Sequence, residues 1–153
     1  MKFYMYFFIF FTISYAQFDW QEGGAPIRQG LHVEWQRTGD TGSDGAMVYA
    51  WSDCRNGIRD VIIQKVDKDG NNLWGNNGVV VVSADGRQED PQLVSDGNGG
   101  AYVIWMDYRD ESDSEGDVYA QHINSDGIIQ WGNEGIALAD KDGKQASPNI
   151  CSD

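Results

Sequence analysis

One spacing constrains the fold of this chain more than any other property. Trp51, Asp53 and Arg55 recur as Trp105, Asp107 and Arg109, 54 residues further on. Past that motif the second copy carries a loop three residues longer, and the offset settles at 57. It then matches Asp60-Val61 with Asp117-Val118, Gln64 with Gln121, Asp69-Gly70 with Asp126-Gly127 and Trp74-Gly75 with Trp131-Gly132. Gly78 with Gly135 and Pro91 with Pro148 continue the series. Agreement at one spacing over so many positions points to like units, each covering its apolar face with its neighbour. A fainter copy lies upstream, where Trp20 and Gly24 precede Trp74 and Gly78 by 54.

Each unit reads as four short strands rich in Val, Ile, Tyr and Trp, separated by Asp-Gly and Gly-Gly turns that supply positive φ. In the second unit the strands are Pro91 to Ser95, Ala101 to Tyr108, Val118 to Asn124 and Gly135 to Ala139. In the first, Leu31 to Thr38 is the expected opening strand and Gly39 to Gly45 the turn after it. No segment past residue 16 carries sustained helical periodicity with a cap. The expectation is an all-β fold, a partial β-propeller of four-stranded antiparallel blades, with a β-sandwich as the alternative. The divisions are a lone strand about 20–28, a blade about 31–82, a blade about 90–139 and the start of the next at 146–153. A ring takes about four to eight blades, so the chain reads as a fragment of a longer protein or a shortened reading frame.

Residues 1–16 have the grammar of a secretory signal peptide: Lys2, a short apolar run from Phe3 to Ile13, and Ser14-Tyr15-Ala16 before Gln17. The run is short for a ~30 Å hydrocarbon core, so export to the medium or outer cell surface is expected, not integration into the membrane. Losing Lys2 takes the net charge from −13 to −14. Such acidity disfavours nucleic acid and anionic lipid as partners and suits solubility in a salty medium. Cys54 and Cys151 occupy non-equivalent places in the repeat, and no bond between them is expected.

Trp51, Asp53 and Arg55, like Trp105, Asp107 and Arg109, alternate onto one strand face. An Asp–Arg pair beside an indole can hold a carboxylate or a sugar. Its recurrence in each unit favours a structural pair instead, with the arginine reaching the acid that opens the next strand, Asp60 or Asp117. Trp74 and Trp131 could line a carbohydrate surface, though indoles repeated in register more often pack between units. The loop holding Asp110, Glu111, Asp113, Glu115 and Asp117 offers hard oxygen ligands that could suit calcium, without the order of an EF-hand. A solvated loop is the plainer reading. No nucleophile elbow, zinc spacing or phosphate loop occurs, and neither His32 nor His122 has an evident catalytic partner. His122, opposite Lys65 in the alignment, is expected to be exposed. Paired carboxylates for glycoside hydrolysis stay open.

The stretch Asp69-Gly70-Asn71-Asn72-Leu73-Trp74 resembles the Asp-box hairpin of sialidase-like propellers, with a different spacing; in those proteins the box is a folding element. Taken together, residues 38–81 and 99–138 resemble the repeats of secreted marine-bacterial β-propeller-like proteins, which often end in a type IX secretion sorting domain. The resemblance implies a non-catalytic secreted or cell-surface protein serving adhesion, ligand or glycan binding, or rigid scaffolding. Its partners would be the remainder of its own chain or neighbouring blades, a glycan or a surface protein. The alternative is the N-terminal part of an extracellular hydrolase acting on polysaccharide. No catalytic residue and no cofactor, calcium aside, is assigned.

Overall fold

The computed structural model describes residues 34–110, 116–140, 143 and 145–152. The expected leader at 1–16 and the expected lone strand about 20–28 fall outside the described residues. What is described is all-β: β1 (Glu34–Thr41), β2 (Met47–Asp53), β3 (Asp60–Val66), β4 (Val79–Val82), β5 (Gln88–Ser95), β6 (Ala101–Asp107), β7 (Asp117–Ile123) and β8 (Ile136–Ala139), with no helix among the described residues. They form two four-stranded sheets, β1-β2-β3-β4 and β5-β6-β7-β8, every neighbouring pair antiparallel.

The repeat is legible down to its irregularities. The first hairpin of each sheet slips register early, between Trp35 and Arg37 and between Glu89 and Gln92. The third pair slips between Val61 and Ile62 and between Val118 and Tyr119. The β3–β4 turn is held by Asp67, whose Oδ1 accepts from the amides of Asp69 at 2.9 Å and Asn71 at 2.8 Å. Asn124 does the same for the β7–β8 turn, accepting from Asp126 at 3.0 Å and Ile128 at 2.9 Å. The hairpin therefore hangs on the side chain two residues before Asp69 or Asp126, as an Asx-type turn.

One strand end departs from expectation. Gly39 was expected to open a turn, yet β1 runs through it to Thr41, and the turn closes where the Gly42 amide donates to Ala46 O at 2.7 Å. Gly39 faces Tyr49 across the ladder, and a Cβ there would lie 2.9 Å from the Tyr49 ring. The glycine makes room for an aromatic ring inside a strand, a close approach that a turn-residue reading mistakes for a chain reversal.

The sheets stack face to face, with β5 lying against β1, β2 and β3. One core runs through Val48, Ala50, Val61, Ile63 and Val81 of the first sheet and Leu93, Ala101, Val103, Trp105 and Ile123 of the second. In β2, Val48 and Ala50 point at the second sheet; in β6 it is Ala101, Val103 and Trp105 that point back. These are opposite faces of equivalent strands, because Val48 aligns with Tyr102 and Trp51 with Trp105. β3 is buried along its whole length, so both of its faces are covered. Two sheets stacked in this way fit a sandwich and a pair of neighbouring propeller blades alike.

Polar contacts that pin the stack include Ser43 Oγ to Gly97 O at 2.8 Å, Lys65 Nζ to Gly99 O at 2.7 Å, Trp74 Nε1 to Ser125 O at 3.0 Å, the Ser95 amide to Asp40 Oδ2 at 2.8 Å, the Gln88 amide to Arg59 O at 2.8 Å and the Arg59–Glu89 ion pair. Cys54 is half-buried, Cys151 exposed, and the two are not bonded.

Candidate functional site

The recurring Trp-Asp-Arg motif closes into a clamp at the end of β2 and again at the end of β6. Alternation along the strand brings the indole over the acid: Trp51 Nε1 donates to Asp53 Oδ2 at 3.2 Å and Trp105 Nε1 to Asp107 Oδ2 at 2.8 Å. The chain then turns so that the arginine folds back. Arg55 gives its amide to Asp53 Oδ1 at 2.6 Å, and its Nε and Nη2 reach Oδ2 at 3.0 and 2.6 Å. Arg109 gives its amide to Asp107 Oδ1 at 2.9 Å, Nε to Oδ1 at 3.0 Å and Nη2 to Oδ2 at 2.6 Å. Both acids have fully buried side chains.

Each guanidinium also ties down the loop before the fourth strand. Arg55 Nη1 donates to Asn77 O at 2.8 Å, and Arg109 Nη2 to Glu134 O at 3.0 Å. The expected reach to Asp60 or Asp117 is not how the arginines are bonded. Asp60, opposite Asp53 in the ladder, accepts instead from Asn56 Nδ2 at 2.8 Å; Asp117 stands opposite Asp107. The physical reason is that each guanidinium is already folded onto its own Asp through Nε and Nη2, onto both oxygens of Asp107 for Arg109 and onto the single Oδ2 of Asp53 for Arg55. Nor does Arg109 stack on the motif's indole. Its Cζ lies 3.8 Å from the centroid of Tyr119.

The electrostatics follow from that geometry. Burial pushes the Asp53 carboxyl up, but the Arg55 side chain, the Arg55 amide and the Trp51 indole together hold it at about 2. Burial pushes Asp60 above its ordinary value; the Asn56 bond opposes this and the Asp53 charge adds to it. For Arg109, burial works against the charge, and the Asp107 bonds outweigh it and raise the pKa. Asp53 is thus held as a carboxylate in the first clamp and Arg109 as a guanidinium in the second, each bonded back into its own motif, which is a poor arrangement for proton transfer.

A second repeated device went unread in the sequence. The buried Gln64 accepts from the amides of Trp74 and Lys65, each at 3.0 Å, and donates Nε2 to Gly75 O at 2.6 Å. Gln121 repeats it, accepting from Trp131 at 2.8 Å and His122 at 3.1 Å and donating to Gly132 O at 2.6 Å. The Gln64–Gln121 match was visible; that a buried amide fastens the Trp-Gly corner was not. Trp74 is buried between the sheets, whereas Trp131 stacks on Tyr102 with centroids 5.8 Å apart. His122 is half-buried rather than open, paired to Asp96 Oδ2 at 2.8 Å and stacked on Tyr102.

Of the acidic loop, Asp110 is exposed and Asp117 begins β7, while Glu111, Asp113 and Glu115 lie outside the described residues. Among the described residues no group of three or more His, Cys, Asp or Glu side chains is placed to hold a metal ion, and no helix is long and apolar enough to cross a membrane. Compared with protein-family models, with curated proteins and with solved structures, the chain matches none.

Proposed function

We propose that this chain is a non-catalytic scaffold: two blades of a β-propeller-like array on an exported or cell-surface protein that presents a surface for adhesion or glycan binding. The observation that carries this reading is the state of the polar groups in the repeat. The buried carboxylates of Asp53 and Asp107 and the amides of Gln64 and Gln121 are committed to bonds inside their own unit, in duplicate. A catalytic residue needs an acceptor or donor turned toward substrate, and a single site needs no second copy.

The blade reading over a sandwich rests on the sense of stacking. The sheets meet through opposite faces of equivalent strands, the head-to-tail stacking of like units in a repeat array. The leader-like residues 1–16 support export, and N-terminal sequencing of protein recovered from the medium should begin at Gln17. The functional test is to offer the chain glycan arrays and soluble polysaccharides side by side. Retention without turnover is expected. Release of reducing sugar that Asp107→Asn abolishes at unchanged melting temperature would overturn the non-catalytic assignment.

A further inference from the structure

The two sheets are built alike but covered unequally. On the side of the first sheet that meets the second, Val48 and Val81 are both 0% exposed. Their equivalents on the outer side of the second sheet, Tyr102 and Leu138, are 37% and 56% exposed. Ile136, two residues before Leu138 in β8 and 42% exposed, extends the same apolar surface. Trp74 gives its Nε1 to Ser125 O across the interface and is pressed against Gly127, where a Cβ would come within 2.8 Å of the indole. Its equivalent, Trp131, finds no such carbonyl among the described residues. Lys65 reaches across to Gly99 O; its equivalent, His122, turns sideways to Asp96.

We propose that the outer face of the second sheet seats a third four-stranded sheet of the same repeat, entering along β5 through residues 145–152. The existing interface is the template, since the second sheet occupies the equivalent face of the first. The entering segment already follows it. Among the described residues only Asp90 and Ser147 have positive φ without being glycine, at 52° and 53°. They are 57 residues apart, and each directly precedes a proline, Pro91 or Pro148. Such a conformation is uncommon for residues with a Cβ, so its recurrence at the repeat spacing marks a second opening strand. Ser147, Pro148 and Asn149 line a cleft of about 340 Å³ with Asp90 and Gln92 of β5. The proposal holds whether the units close into a ring or continue as an open stack, and it does not depend on the ligand the array presents.

The test inserts a second copy of residues 88–144, one 57-residue repeat, directly after Lys144 of the full chain. Asp126→Glu in the inserted copy separates its peptides by mass. Hydroxyl-radical labelling should then fall at the original Trp131 while the copy's Trp131 stays reactive. Equal labelling of both would overturn the proposal. An independent reading uses Leu138→Asp in the original unit alone. It should lower the urea midpoint about threefold more in the three-unit chain than in the natural one, because the charge is buried only there. Equal shifts in the two chains would also overturn it. So would a glycan retained by the natural chain, lost in Trp131→Ala, and still bound at that residue in the three-unit chain.

Discussion

A buried ion pair is worth little against an apolar substitute but costs a good deal to break from one side. Asp107 and Arg109 fit that case, the acid fully buried and the arginine largely so. Arg109→Ala removes the guanidinium from Glu134 O and from Asp107, which keeps only the Trp105 indole and the residue-109 amide, and should cost about 1–3 kcal/mol in denaturant unfolding. Asp107→Asn keeps an acceptor but loses the charge and should fall at the low end of that range. Unchanged stability in Arg109→Ala would remove the structural role assigned to the clamp. The same chemistry fixes an acid dependence. Asp53 is depressed in the folded state to about 2 from 3.8, so its contribution is fully present above the unfolded value. It is lost as pH falls from about 4 to 2, amounting to roughly 2 kcal/mol. Asp44 and Asp96, also held below their ordinary values, act in the same direction. Asp60, held above its own, opposes them by favouring the fold as it takes up its proton. Urea midpoints measured from pH 5 down to 2 should decline in the natural chain, and the Arg55→Ala decline should be shallower. Parallel declines would show that Arg55 is not what holds Asp53 ionised.

At the scale of the element, the fourth strand of each unit depends on a glycine whose reason lies on another strand. Gly78 and Gly135 have φ of 74° and 71°, and a Cβ on either would sit 2.5 Å from the carbonyl oxygen of Ile63 or Ala120. The tips of Trp51 and Trp105 close the remaining space at 3.2 and 2.7 Å. Gly75 offers an internal control, with φ 77° and nothing within 4 Å of its would-be Cβ. Gly75→Ala should cost about 1–2 kcal/mol for backbone strain alone. Gly78→Ala adds backbone overlap and should cost clearly more in the same urea titration. Equal losses would mean that β4 moves freely to admit a methyl. The number and order of strands were legible from the repeat, since alternation and turn residues act locally. Partners set by packing were not. Asp69-Gly70 has the composition of a turn, yet Asp67 holds it, and Gly39 has the local signature of a turn because nothing nearby in sequence announces the Tyr49 ring above it. The clamp residues could be named from sequence, but their bonding could not. Whether Arg55 reaches Asp53 or Asp60 is decided by how the chain turns after β2.

For the whole molecule, the stack makes two residues of identical type and repeat position unequal. Trp74 lies between the sheets, bonded to Ser125 O and packed on Gly127. Trp131 occupies the same corner of the second unit and has Tyr102 and His122 on one side but no second sheet described beyond it. Both have the same amide bond to a buried glutamine, and that bond survives truncation of the indole. Substituting alanine therefore isolates the intersheet packing. Trp74→Ala should cost about 3–5 kcal/mol, the range for removing an aromatic from a core that cannot collapse. Trp131→Ala should cost on the order of 1 kcal/mol, since its indole is half-buried and packs on Tyr102 and His122 without a second sheet described over it. Single cooperative transitions in both variants would keep the comparison two-state. Equal costs would contradict the asymmetry, because they would require Trp131 to be covered as fully as Trp74. Should Trp74→Ala instead split the transition in two, the sheets would be independent folding units, and the shared core through Val48, Ala50, Val103 and Trp105 would be too weak to couple them.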